Sequence, residues 1–262
     1  MISDVLENIS TKKVFTKMYL RWEYNNVRIK EGDKWKAAFM MPEGLFKPTI
    51  MFFGLTNFLV TFQAMMNELL RDLINTGKVA AFIDDVIVRT ETEEGHDELV
   101  AEVIKRLEEN NLYVKLEKCR WKVREVGFLG VVIGSEGIKM EEEKVKGTVE
   151  WPIPKCVKDV QKFLGLANYY RQFIEGFASI ARPLHDMVKK NKKWEWTEKQ
   201  DKAFEELKKR FAEELVLAIP DLDKKIRMEV DASDYATGGV LLMECKDGLW
   251  RPVAFLSKSL SH

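Results

Sequence analysis

The chain has 262 residues, 46% of them hydrophobic, and its 42 basic residues are balanced by 42 acidic ones. That is ample for a real core, in one large or two to three small domains. It excludes a global field that would attract polyanions, though a local basic groove on a neutral protein stays open. It also excludes a membrane span, because no segment approaches the apolar run of about 20 residues that one needs.

The segment Met1-Ile2-Ser3-Asp4-Val5-Leu6-Glu7 lacks the basic-then-apolar pattern of a signal peptide. Cys119, Cys156 and Cys245 lie far apart, with neither metal-ligand spacing nor a disulfide framework. Together these predict a reducing, intracellular location, in cytoplasm or nucleus. Residues 14–30 read as extended or turn-like, with Val27 and Ile29 alternating against Arg28 and Lys30. Phe62, Met65, Met66, Leu69 and Leu70 recur at helical spacing and predict a helix over 61–73, its Met and aromatic residues serving as core.

Next comes Val79-Ala80-Ala81-Phe82-Ile83-Asp84-Asp85-Val86-Ile87-Val88, which sets two adjacent carboxylates between apolar stretches with the β-branched content of buried strands. The pattern predicts a hairpin with the acids at its turn. A tight primed turn needs positive φ and favours Asn-Gly or Asp-Gly. Asp-Asp supplies neither glycine nor charge balance. Two like charges there suit a multivalent cation, and Mg²⁺ held by one or two carboxylates plus substrate phosphates is the commonest case. The bland alternative is an ordinary Asp-rich solvated turn.

Beyond the hairpin, Leu99, Val100, Val103, Ile104 and Leu107 stripe a helix that stops near Asn110-Asn111. A second hairpin runs from Val126 to Ile133 and is closed by Gly134-Ser135-Glu136-Gly137. Helices interleaved with hairpins predict an α+β sheet domain with helices on one face. Trp151-Pro152-Ile153-Pro154 marks a boundary, since two prolines stiffen the chain and remove donors. A helix face then follows at Val160, Phe163, Leu164, Ala167, Tyr170, Phe173 and Ile174. Lys189, Lys190, Lys192 and Lys193 read either as a phosphate contact or as a solvated loop. Thr197 to Gln200 has capping-box spacing ahead of the stripe Ala203, Phe204, Leu207 and Phe211. In 226–231 apolar and polar residues alternate, so Asp231 ends a strand on the face opposite the core. Asp234, Gly238-Gly239 and the apolar run Val240 to Met243 follow, and they fit equally an Asp-rich turn into a second hairpin strand.

Several short motifs occur in a fixed order: Phe15-Thr16-Lys17 with Leu20-Arg21 and Tyr24-Asn25-Asn26; Phe53-Gly54-Leu55-Thr56-Asn57 with Thr61-Phe62-Gln63; Phe82-Ile83-Asp84-Asp85; Phe128-Leu129-Gly130; Phe163-Leu164-Gly165-Leu166-Ala167-Asn168-Tyr169-Tyr170-Arg171; and Asp231-Ala232-Ser233-Asp234-Tyr235. Each is weak alone, but the ordered set is specific. Over nearly the whole chain it resembles the reverse transcriptase and ribonuclease H region of a gypsy-type long-terminal-repeat retrotransposon polyprotein. The resemblance implies a palm with partial fingers over 1–137, a helical thumb or connection over 138–193 and a truncated ribonuclease-H-like α/β domain over 194–262.

It also implies RNA-directed DNA synthesis on an RNA or DNA template-primer from dNTPs, with no membrane partner. Two Mg²⁺ ions about 4 Å apart would clamp the attacking 3′-oxygen and the leaving pyrophosphate oxygen. In that scheme Asp84 and Asp85 are metal ligands joined by a third aspartate on a neighbouring strand. Tyr24 sorts the sugar, Phe53 and Gly54 touch the nucleotide, and Gln63 with Phe128, Leu129 and Gly130 lie along the nucleic acid. Asp231 is the first metal-binding carboxylate of the ribonuclease H site.

The third aspartate is the point of departure. Where the family reads apolar-Asp-Leu, this chain reads Met18-Tyr19-Leu20, and a phenol is neutral at pH 7. Phe58-Leu59-Val60 also replaces a small residue and proline. The expected upstream fingers segment is lacking, and His262 comes before the further ribonuclease H carboxylates. The expectation is a polymerase scaffold whose catalysis is lost or impaired at position 19. The alternatives are a non-catalytic nucleic-acid-binding or interaction module, or a relic whose half-formed last sheet leaves Val240 to Met243 as an unpaired edge.

Overall fold

The computed structural model describes residues 13–21, 27–52, 54–213, 215–221, 223–233 and 235–260. Chain contacts divide it into two compact units, up to Val126 and from Gly127 onward.

In the first unit β1 (Val14–Arg21) is the central strand. It pairs antiparallel with β5 (Asp85–Thr90) on one side and with the short β6 (Tyr113–Val114) and β7 (Arg120–Val123) on the other. β4 (Val79–Phe82) completes the hairpin with β5, giving the order β4-β5-β1-β6 with β7 also on β1. Burial on both faces explains why β1 reads as a near-continuous buried run rather than as an alternation.

Helix α1 (Phe58–Leu69) carries Phe58, Phe62 and Met66 inward at four-residue spacing. The chain breaks at Leu70 and resumes as α2 (Arg71–Asn75), so the helix expected over 61–73 is two helices. Phe58 packs inside, whereas Leu59 and Val60 stand exposed on the first turn. Helix α3 (His96–Glu109) ends as expected: Asn111 adopts φ +57° while the Leu112 and Asn111 amides donate to the Leu107 and Glu108 carbonyls, a left-handed C-terminal cap. Met18, Phe62, Met66, Val86, Val88, Val103 and Leu107 meet in one core between this sheet and its helices. A separate ribbon of β2 (Phe39–Met41) and β3 (Gly44–Phe46) is exposed.

In the second unit β8 (Glu125–Phe128), β9 (Val131–Gly134) and β10 (Gly137–Met140) form a meander in the order β10-β9-β8, with the expected turn at 134–137. α4 (Glu142–Val149), α5 (Val157–Tyr169), α6 (Phe177–Met187) and α7 (Glu198–Ala212) follow. α7 opens with the capping box read from Thr197 and Gln200. The predicted aromatic stripes meet: Phe163 lies 4.6 Å from Phe204 and Tyr170 lies 5.9 Å from Phe211, ring centre to ring centre. A final sheet holds β11 (Ile226–Ala232), β12 (Ala236–Glu244) and β13 (Trp250–Ser259).

Two expectations fail in that sheet. Val240 to Met243 is not an edge, because β12 is the central strand, paired with β11 on one side and β13 on the other. The apolar residues of β11 do not face a core either. Met228 and Val230 are 66% and 68% exposed, because nothing among the described residues covers that strand, and alternation reports a two-faced strand without saying what lies against either face.

Candidate active site at the Asp84-Asp85 hairpin

The turn between β4 and β5 is made by Ile83 and Asp84, with Phe82 opposite Asp85. The two acids therefore differ: Asp84 sits in the turn, while Asp85 is already the first strand residue. The positive φ that a tight turn demands falls on Ile83, at +54°, a costly conformation for a β-branched residue. Gln63 of α1 holds it there. The Gln63 side-chain carbonyl accepts from the Ile83 amide at 2.8 Å, and its amide nitrogen donates to the Ala81 carbonyl at 2.9 Å. The Asp84 carbonyl accepts from the Leu20 amide at 2.8 Å, tying the turn to β1.

The β1–β5 register places Tyr19 directly opposite Asp85. Paired residues project to the same face, and so does Lys17, two positions back along β1. Lys17 Nζ lies 3.0 Å from the Asp85 carboxylate and 4.4 Å from the centre of the Tyr19 ring. Burial opposes the Lys17 charge, but hydrogen bonds to Tyr19 and Asp85 outweigh it and hold the ammonium above its ordinary pKa. Burial pushes the Asp85 carboxyl up, against the Lys17 hydrogen bond and charge and with help from Asp84. The sequence reading missed Lys17, although its two-residue spacing from Tyr19 is the signal that would have found it.

A cleft of about 360 Å³ opens beside the turn, lined by Tyr19, Leu20, Arg21, Asp84, Lys115, Glu117 and Lys118. The Lys115 amide donates to the Tyr19 carbonyl at 2.7 Å, and this fixes the strand-to-turn segment that carries the two lysines.

The other predicted site residues lie apart. Tyr24, Phe53 and Asp234 fall outside the described residues. Gly54 follows at φ +105° in the loop before α1. The Phe128 side chain is buried, so what the Phe128-Leu129-Gly130 element presents outward is its turn, with Leu129 at φ +52° and Gly130 at φ +76°. Tyr169 and Tyr170 hydroxyls donate to the Leu129 and Gly130 carbonyls at 2.6 and 2.9 Å. Asp231, in the second unit, is exposed near the end of β11 and lines a cavity of about 470 Å³ with Glu175, Glu229, Ser233 and Ser257. Its carboxylate accepts from the Ala232 amide at 2.9 Å.

A palm-like sheet crossed by helices, with an acidic hairpin against a central strand, defines a class. Residues 2–133 match the family described as "Reverse transcriptase (RNA-dependent DNA polymerase)", and the chain belongs to that family. Residues 196–262 match the "RNase H-like domain found in reverse transcriptase". The chain is 32% identical over 261 residues to the Transposon Tf2-3 and Tf2-4 polyproteins of Schizosaccharomyces pombe, matching all of this chain but 20% of each relative. It thus spans about a fifth of those polyproteins. Its fold also matches the foamy viral protease-reverse transcriptase. In the complex of that protein with an RNA/DNA hybrid the TM-score is 0.82 at 24% identity, over 98% of this chain and 35% of that one. In the complex with double-stranded DNA it is 0.85 at 24% identity, over 100% and 45%. The α+β class read from the sequence is the class observed.

Reverse transcriptases use divalent metal, and the donors present can be tested against that need. Mg²⁺ demands near-octahedral oxygen ligands at about 2.0–2.1 Å. Opposite Asp85 stands a neutral phenol, and the Asp85 charge is already answered by Lys17. Among the described residues no three His, Cys, Asp or Glu side chains converge on one point. This donor set does not fit a pair of Mg²⁺ ions.

Proposed function

We propose that the chain is the palm-to-ribonuclease-H segment of a gypsy-type retrotransposon polyprotein, with palm and fingers residues over 1–137, a thumb or connection over 138–193 and ribonuclease-H-like residues over 194–262. Its ancestral activity is two-Mg²⁺, template-directed nucleotidyl transfer on an RNA or DNA template-primer, and this copy is catalytically impaired. The observation that carries the reading is Tyr19 opposite Asp85 in the β1–β5 register. In the ancestral scheme Asp84 and Asp85 hold metal, Tyr24 gates the sugar, Phe53 and Gly54 border the nucleotide, Gln63 lies along the nucleic acid, and Phe128, Leu129 and Gly130 lie along the primer. Asp231 is one acid of a site that needs more. Losing about 4 kcal/mol of transition-state stabilisation slows a reaction roughly a thousandfold.

The test is Mg²⁺-dependent extension of a primer on an RNA template by the chain and its Tyr19→Asp variant. We expect no extension by the unaltered chain and measurable extension by the variant. Extension by the unaltered chain would show that another ligand replaces the lost carboxylate.

A second reading, a non-catalytic nucleic-acid-binding module, is favoured by the RNA/DNA hybrid and double-stranded DNA held by the structural neighbours. It predicts salt-dependent duplex binding without extension.

A further inference from the structure

Strands β2 and β3 form a ribbon of their own, and among the described residues no third strand pairs with either. The loop Pro42-Glu43 closes on the pair Met41 and Gly44, and Phe39 faces Phe46 two steps back. In an antiparallel ladder such pairs exchange their backbone hydrogen bonds, and the pair between them turns its backbone groups outward. Leu45 therefore directs its amide and carbonyl to the free edge of β3. Its side chain and that of Met40, paired across the ribbon, share an exposed apolar face. Glu43 and Lys47 stand two residues to either side of Leu45, both exposed and neither in an ion pair among the described residues. An acid, an apolar residue and a base at two-residue spacing complement themselves when the strand is reversed. The edge of β2 differs: the Ala38 amide is engaged by the Trp35 carbonyl at 3.2 Å, and Pro42 has no amide.

We propose that the free edge of β3 is a self-association site whose occupant is the same edge of a second copy of this chain, paired antiparallel about a two-fold axis at Leu45. In that register Leu45 exchanges hydrogen bonds with Leu45 of the second copy. Glu43 stands opposite Lys47 of the second copy and Lys47 opposite its Glu43, so two ion pairs bracket an apolar strip of Met40, Leu45 and their counterparts. Pro42 falls opposite Pro48 of the second copy, and since neither donates, the pairing ends there on both sides. The product is a four-stranded sheet whose outer edges are the two β2 strands, blocked at Ala38 and Pro42. Association thus closes at the dimer instead of propagating as an open stack. The contact is short, which makes it weak and concentration-dependent. The inference does not depend on whether the chain polymerises.

The experiment is sedimentation velocity of the whole chain across a wide range of concentration. We expect a monomer–dimer equilibrium. Glu43→Lys and Lys47→Glu each set like charges opposite one another twice, and each should weaken the dimer by about tenfold or more. The double variant exchanges the two signs and should recover it. An equimolar mixture of the two single variants should form a heterodimer, because each supplies the charges that the other lacks. Both side chains are exposed, so the variants should fold, and a circular dichroism melt of each at low concentration checks it. A monomer at every concentration, a dimer indifferent to the single substitutions, or one not recovered by the double variant or the mixture would overturn the proposal. Growth beyond the dimer would overturn the closed sheet. Loss of RNA/DNA duplex binding in Leu45→Glu, in a chain that stays monomeric, would assign the ribbon to nucleic acid instead.

Discussion

His96 is buried with both ring nitrogens engaged, Nε2 at 2.7 Å from the Thr16 hydroxyl and Nδ1 at 2.8 Å from the Thr90 hydroxyl. The surrounding donors set its state. Thr90 gives its proton to the Thr92 carbonyl and so accepts from His96 Nδ1, which leaves Nε2 of the neutral ring as the acceptor for the Thr16 hydroxyl. A second ring proton, on Nε2, would cost the bond that the Thr16 hydroxyl donates there. Burial accordingly lowers the His96 pKa, with the Asp97 charge opposing. The folded state favours the neutral ring, so stability is full above the ordinary histidine value of about 6.5 and falls as pH drops below it. We expect the melting temperature to fall between about pH 7 and pH 5, and to fall less in His96→Gln; an equal fall in both would assign the acid sensitivity elsewhere. A single histidine at the head of a helix gave no hint of this, because one of its two partners, Thr16, lies 80 residues away in sequence. Tyr19, by contrast, stood out in the sequence itself, among the motif residues on either side of it.

At the scale of elements, the hairpin depends on a helix. The strained Ile83 turn is secured to α1 through both ends of one amide, that of Gln63. Without it the Ile83 amide loses its acceptor and the turn loses the bond that offsets a φ of +54°. Gln63→Leu should cost about 1–3 kcal/mol in urea unfolding, with faster hydrogen exchange at Ile83. Unchanged exchange there would show that the turn is held by β1 alone. The sequence reading placed Gln63 along the nucleic acid and the Asp pair together at the turn. The structure turns Gln63 toward the hairpin backbone and splits the pair between turn and strand, because pairing of Phe82 with Asp85 leaves only Ile83 and Asp84 to reverse the chain. Similar local demands act at Gly137, where φ is +144° and a Cβ would collide with the Leu217 carbonyl. Its role as a turn glycine was readable, but its close approach to the segment at Leu217 was not.

For the molecule as a whole, two features act on colloidal behaviour. The 42 basic and 42 acidic residues cancel, and in the first unit the β2–β3 ribbon exposes Met40 at 73% and Leu45 at 60% beside Phe39 and Phe46. A protein near zero net charge with an exposed apolar ribbon associates most readily around neutral pH. Light scattering across about pH 5 to 9 should peak near pH 7, and Met40→Lys with Leu45→Lys should suppress the peak. Because these side chains are exposed, that change should alter unfolding free energy by no more than about 0.5 kcal/mol each. A large loss of stability would mean that the ribbon packs against something in solution.

The order of motifs, the helix stripes, the Thr197 cap, the α+β class and the tyrosine at position 19 were all determined by the sequence itself, because each depends on neighbours within a few residues or on a fixed pattern. Only the tertiary structure decided that Lys17 answers Asp85, that Gln63 holds the turn, that β12 is central and β11 uncovered among the described residues, and that Arg21, Lys115 and Lys118 line one cleft with Asp84. Those facts depend on strand register and packing between distant segments. A one-residue change in register would turn every side chain of β1 to the opposite face.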